Sequence, residues 1–185
     1  MTVLWVVLAV VVVIILSVVG VFNSLVGLRN QVKNSWSQIE VQLKRRHDLI
    51  PNLIESVKGY VQHERGTLEN LTKARSQAIS AQTVGEKAKA EGVLSGALGR
   101  LMVSVENYPD LKANQNFLAL QEELSSTENR IAFARQNYND QVLAFNNKIQ
   151  MFPSNLIANS FAFTKEEFFE LEDKTEKEVP KVSFS

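Results

Sequence analysis

The stretch VLWVVLAVVVVIILSVVGVF, Val3 to Phe22, constrains this chain more than any other: twenty residues without a charge, relieved only by Ser17 and Gly20. At 1.5 Å per residue such a helix covers about 30 Å, the hydrocarbon thickness of a bilayer. In lipid a backbone must satisfy its own hydrogen bonds, so the run predicts a transmembrane helix. Its β-branched content would favour a strand only in water. A cleavable signal would place basic residues ahead of a shorter core and a small-x-small site after it. Only Met1 and Thr2 precede this run and no such site follows, so it reads as a retained anchor bounded by Val3, Leu4, Trp5 and Phe22. Trp5 suits the aromatic belt at a membrane surface. Arg29 and Lys33 follow with no acid before Glu40. Basic residues close to a span stay cytoplasmic, which predicts a single-pass protein of the inner (cytoplasmic) membrane, N-terminus outside and the remainder cytoplasmic.

Beyond the span, Leu25, Leu28, Val32, Trp36, Ile39 and Leu43 recur at a mean spacing of 3.6, which predicts that the same helix continues as an amphipathic one. Gly27 is either tolerated or marks a kink at the membrane surface. Pro51 is expected to end this helix, with Asp48 as N-cap of a second that carries Ile54, Val57, Val61, Leu68, Leu71 and Ala78 to about Ala81. Thr83–Glu86 starts a third, to about Tyr108, with Val93, Leu94, Ala97, Leu98, Leu101 and Val105 as its buried face. Gly92, Gly96 and Gly99 on it suggest a closely packed neighbour. A fourth helix runs from Phe117 to Phe152 on a stripe through Leu120, Leu124, Ile131, Tyr138, Val142, Phe145 and Ile149, and stops at Pro153. A short helix is expected around Thr164–Leu171.

Short loops between long helices force antiparallel neighbours. The fold class is therefore all-α: one N-terminal transmembrane helix continuing into an antiparallel up-and-down four-helix bundle. The expected organisation is an anchor over 1–22, a cytoplasmic bundle over 23–153, a Phe-rich membrane-proximal tail over 154–175 and a disordered C-terminus over 176–185. Twenty basic residues balance twenty acidic ones, so no basic field favours nucleic acid. The absence of cysteine excludes disulfides, thiolate nucleophiles and cysteine metal sites.

The run VKNSWSQIEVQLKRRHDLIPNLIESVKGYVQHERGTLENLTKAR, Val32 to Arg75, closely resembles the LemA family, supported by Phe22–Val26, Tyr108–Ala113 and Phe152–Leu156. The resemblance covers nearly all of Phe22–Leu171. It implies one N-terminal transmembrane helix and a cytoplasmic antiparallel helical bundle. One branch of the family is linked to formation of magnetosome membranes, which implies membrane shaping or scaffolding. The resemblance brings no catalytic residues.

The residues themselves offer no catalytic, cofactor or metal constellation. His63-Glu64-Arg65-Gly66-Thr67 begins like a zincin motif but has Thr67 where the second histidine belongs, and His63 reads as a solvated or capping residue. Lys44, Arg45, Arg46, His47 and Asp48 form a candidate partner patch, expected at a helix corner. Phe161, Phe163, Phe168 and Phe169 are candidate oligomer or membrane-proximal contacts, or a cap on the bundle's own end. The function expected is a single-pass helical scaffold, not an enzyme, that contacts membrane lipid, self-associates and organises or remodels the cytoplasmic membrane. The alternative is a tethered adaptor that presents its bundle to another membrane protein, such as a protease or signalling enzyme.

Overall fold

The computed structural model describes residues 1–60 and 64–170. All regular elements among them are helices: α1 (Thr2–Lys58), α2 (Arg65–Ser80), α3 (Val84–Val105), α4 (Pro109–Lys112), α5 (Gln115–Gln150) and α6 (Ser154–Ser160). The readings of Val61 and His63, and of the tail from Leu171 including the disordered end over 176–185, fall outside the described residues. The chain divides into two compact units, Met1–Leu43 with Arg130–Phe168, and Lys44–Asn129 with the stretch from Phe169.

In the first unit, α1 begins as an apolar rod. Its side chains from Val3 to Val19 are exposed, and among the described residues it is the one helix long and apolar enough to cross a membrane. The helix passes Gly20 and Gly27 without interruption. The predicted stripe then goes inward: Leu25, Val32, Ile39 and Leu43 are buried, as are Ile131, Ala134, Tyr138, Val142, Phe145 and Ile149 of α5. Trp36 lies half-buried against Tyr138, ring centroids 5.3 Å apart.

The tail helix is not where it was expected. It occupies Ser154–Ser160, and Thr164 to Glu170 carry no helix. Ala162 adopts a left-handed φ of 55° and turns the chain out of α6. The backbone beyond it is held by α5 side chains instead. Asn146 accepts from the Glu166 N–H at 3.0 Å and donates to its carbonyl at 2.9 Å. The Tyr138 hydroxyl donates to the Glu167 carbonyl at 2.8 Å. Backbone groups satisfied in this way have no need of a helical turn.

In the second unit, α1 runs straight through Pro51 to Lys58, so Pro51 neither ends a helix nor opens the next. Proline has no N–H to give the carbonyl four residues back, and the loss ordinarily breaks a helix. Here that carbonyl is His47's, and it accepts from Arg75 Nε of α2 at 2.7 Å. Ile50, Leu53 and Val57 are fully buried, so tertiary packing sustains the helix that local propensity would stop. Asp48 is accordingly no N-cap; it pairs with Lys44 one turn earlier at 2.8 Å. The break falls after Lys58, and α2 is half the expected length.

One core joins Ile50, Leu53 and Val57 of α1, Leu71, Ala74 and Ala78 of α2, Leu94, Leu101 and Val105 of α3, Leu111 of α4, and Phe117 and Leu124 of α5. Thr83 opens α3 with a capping box: its hydroxyl accepts from the Glu86 N–H at 3.2 Å, and Glu86 accepts from the Thr83 N–H at 3.1 Å. Those backbone hydrogen bonds, from Thr83 and from Gln82, hold the Glu86 carboxyl below its ordinary value. Asn114 caps α5, its side-chain oxygen accepting from the N–H groups of Asn116 and Phe117. Two details of α3 depart from expectation. Val93 is exposed while Glu91 is buried. A Cβ added to Gly96 or Gly99 would meet nothing within 4 Å, so these glycines admit no close neighbour and face open space.

Candidate functional site

Leu43, Arg46, His47, Ile50, Leu53 and Val57 are all buried, and their spacing carries the α1 stripe onward with an arginine and a histidine set into it. Arg46 is 2 % exposed and Glu91, from α3, 3 %. Arg46 Nη2 forms an ion pair with Glu91 Oε2. Arg46 Nη1 pairs with Glu128 of α5 and donates to Ser95 Oγ of α3 at 3.0 Å. His47 Nε2 lies 2.7 Å from the other Glu91 oxygen. Burial alone would raise the Glu91 carboxyl, but the His47 hydrogen bond and the Arg46 charge and hydrogen bond outweigh it, so the group is held below the ordinary carboxylate range.

This arrangement clamps α1, α3 and α5 together. Glu91, Glu128 and Ser95 occupy both Nη groups of the guanidinium, while its buried Nε has no hydrogen-bond partner among the described residues. An open pocket of about 380 Å³ adjoins it, walled by Leu98, Met102 and Leu124 with Arg46 and Glu128 at its edge. Among the described residues no group of three or more His, Cys, Asp or Glu is placed to hold a metal ion.

The candidate patch is thus split. Arg46 and His47 are interior; Lys44, Arg45 and Asp48 are exposed. The run lies mid-helix and not at a corner, because α1 does not end at Pro51. Arg45 pairs with Glu123, and the hydrogen bond from Lys44 lowers the Asp48 carboxyl. Glu91, Glu128 and Ser95 were missed by sequence reasoning. The signal was present: Ala88, Glu91, Leu94, Leu101 and Val105 share one helical face, and a carboxylate on such a face calls for a buried cation.

The second concentration of candidate residues lies in the first unit, where α1 leaves its apolar run. Phe22 packs against Phe161 and Phe163, ring centroids 4.8 and 5.9 Å away, and Phe163 meets Phe145 at 6.3 Å. The Arg29 guanidinium lies 5.0 Å from the Phe163 ring, a cation–π contact. Phe163 is buried, whereas Phe161 and Phe168 keep exposed ring surface; Phe169, which belongs to the second unit, is also buried. Val3, Leu4 and Trp5 are exposed at the far end of the apolar run. Tyr138 holds its proton unusually firmly: burial, and then the nearby Glu166 and Glu167 charges, push its hydroxyl up to about 12.

Known proteins resemble this chain over most of its length. The chain is 33 % identical over 142 residues to Protein LemA of Metamycoplasma hominis, covering 76 % of this chain and 64 % of that one. It is 25 % identical over 175 residues to Magnetosome protein MamQ 2 of Paramagnetospirillum magneticum, and 23 % over 174 to Magnetosome protein MamQ of Magnetospirillum gryphiswaldense, each covering 80 % of this chain and 64 % of the relative. The chain therefore spans a little under two thirds of the length of these relatives. The LemA family model matches residues 35–184, a stretch that takes in Arg46, Glu91 and Glu128, the Phe161–Phe169 segment and most of the helices around them, and on this match the chain belongs to the LemA family.

Proposed function

We propose that this protein is a single-pass, non-enzymatic membrane scaffold. Val3–Phe22 spans the cytoplasmic membrane with the N-terminus outside, and the helices beyond it form an antiparallel bundle on the cytoplasmic side that self-associates to organise the membrane face. The observation that carries the reading is the continuity of α1. A lipid-length apolar segment, exposed on every side, and a helix that contributes buried side chains as far as Val57 are one uninterrupted element. Ring pairs support the antiparallel order: Trp36 meets Tyr138, while Phe22, earlier in α1, meets Phe163, which lies on Phe145, later in α5. The magnetosome proteins among the relatives favour a role at a membrane. The test is electron microscopy of the full chain in phospholipid vesicles, with mass photometry in detergent. The expected result is ordered assemblies on the vesicle surface and discrete oligomers in detergent. A strict monomer at micromolar concentration overturns the scaffold and leaves the tethered adaptor.

A further inference from the structure

The α5–α6 corner gathers exposed apolar side chains on a short uncharged stretch. From Ile149 to Thr164 the sequence carries no charge, and Lys148 and Lys165 bracket it. Within it Met151, Phe152, Leu156 and Phe161 are 60 %, 79 %, 59 % and 56 % exposed. Four large apolar side chains on one short corner form a patch, and an exposed patch of this kind marks an interaction surface.

The register of α1 against α5 says where the corner stands. Tyr138 lies beside Trp36, ring centroids 5.3 Å apart. Phe22 is fourteen residues before Trp36 (36 − 22 = 14), and Phe152 is fourteen after Tyr138 (152 − 138 = 14). At 1.5 Å per residue the first step is about 21 Å; α5 runs twelve residues past Tyr138 to its end at Gln150 (150 − 138 = 12), about 18 Å, which brings Phe152, two residues beyond that end, close to the level of Phe22, the last residue of the apolar run. The ring contact of Phe161 with Phe22 at 4.8 Å fixes the same height from the other side of α6. The exposed apolar surface of the span therefore continues onto the corner. Arg29 stands seven residues past Phe22, about 10 Å further out. Its guanidinium is engaged on the Phe163 ring, so Lys148 and Lys165, which flank the corner, supply the cations where lipid phosphates lie, with Glu166 and Glu167 next in the chain. Apolar side chains below and basic ones above match the profile of a bilayer interface.

We propose that the α5–α6 corner is a second, monotopic membrane contact, seating Phe152, Leu156, Met151 and Phe161 among the lipid headgroups and upper acyl chains beside the span. The proposal rests on Val3–Phe22 being a transmembrane anchor. Two contacts on one rigid unit would fix the tilt of the bundle on the membrane, which a lone helix leaves free.

The chain lacks cysteine, so single substitutions Val12→Cys, Phe133→Cys, Phe152→Cys and Leu156→Cys each accept one environment-sensitive fluorophore in the full-length protein. Each is reconstituted into phosphatidylcholine vesicles and titrated with a lipid carrying a doxyl group high on its acyl chain, and separately with iodide. A label seated roughly 5–10 Å into the headgroup boundary meets the doxyl group directly. The expected result is doxyl quenching about threefold stronger at 152 and 156 than at 133, with iodide quenching reversed and the label at 12 protected from iodide. Labels at 152 and 156 that behave like the one at 133 while position 12 stays in lipid overturn the corner contact and leave the anchor standing. Shielding at 152 and 156 from both quenchers means that protein covers the corner, and overturns it too. A label at 12 open to iodide overturns the anchor itself, and the corner contact with it.

Discussion

Arg46 shows what one side chain can impose. Buried between Glu91 and Glu128, it leaves an uncompensated carboxylate behind when removed. Arg46→Leu is expected to cost about 3–5 kcal/mol, read from urea unfolding in detergent, and a paired Arg46→Leu/Glu91→Leu change about half that or less, because apolar replacement of both partners is far better tolerated. The same pair predicts acid behaviour. The folded Glu91 carboxyl sits below its ordinary value of 4.5, so its contribution is present above pH 4.5 and drains away as pH falls through the folded value. Arg46, His47 and Glu128 are the charged or titratable partners in its cluster. Glu91→Gln is expected to lower the melting temperature at pH 7 and to flatten its decline below pH 4.5; an equally steep decline in the variant would place the acid sensitivity elsewhere. Gly96 behaves in the opposite sense. With nothing within 4 Å of its missing Cβ, Gly96→Ala is expected to stabilise α3 by about 0.5–1 kcal/mol through helix propensity alone.

At the level of the helix, the instructive case is the carbonyl of His47. Pro51 cannot donate to it and Arg75 does, at 2.7 Å. Arg75→Met is expected to cost about 1.5–3 kcal/mol, the range for a hydrogen bond involving a charged group. Restoring the backbone donor with Pro51→Ala should recover part of that, and a double-mutant cycle measures the coupling; strict additivity would mean that the two donors do not substitute for each other. This pair also explains where sequence reading succeeded and where it stopped. The apolar run, the stripe from Leu25 to Leu43, the start of α3 at Thr83–Glu86 and nearly all of α5 were legible because each depends on neighbours within a turn or two. The persistence of α1 past Pro51 depends on a side chain 28 residues away from His47, which no local rule sees. The misjudged patch followed from that one error, since a helix thought to end near Arg46 has no reason to bury it. The misplaced tail helix has a similar origin. Tyr138 was expected on the core stripe of α5, and nothing in its spacing or in that of Asn146 says that they hold the backbone of Glu166 and Glu167.

For the molecule as a whole, the exposed apolar rod at the N-terminus decides where the protein can reside. A charge placed at its centre is expected to disfavour insertion by about 2.5–3.5 kcal/mol, so Val12→Arg should shift the protein from the carbonate-resistant membrane fraction toward the soluble or aggregated one. Unchanged fractionation would remove the span from the account. The order of the two units along the chain has a consequence for biogenesis. The first is assembled from Met1–Leu43 and Arg130–Phe168, and nearly all of the second is the stretch between them. During synthesis the inner stretch can close on itself while the outer unit still lacks half of its residues. Trp36 must wait for Tyr138, and Phe22 for Phe161, more than a hundred residues later. Closure over such separations is slow compared with local pairing, so for much of the chain's emergence from the ribosome Leu25, Val32 and Ile39 stand uncovered. Nascent chains arrested before Arg130 should therefore recruit holding chaperones along this face, and release them once Phe168 has cleared the exit tunnel.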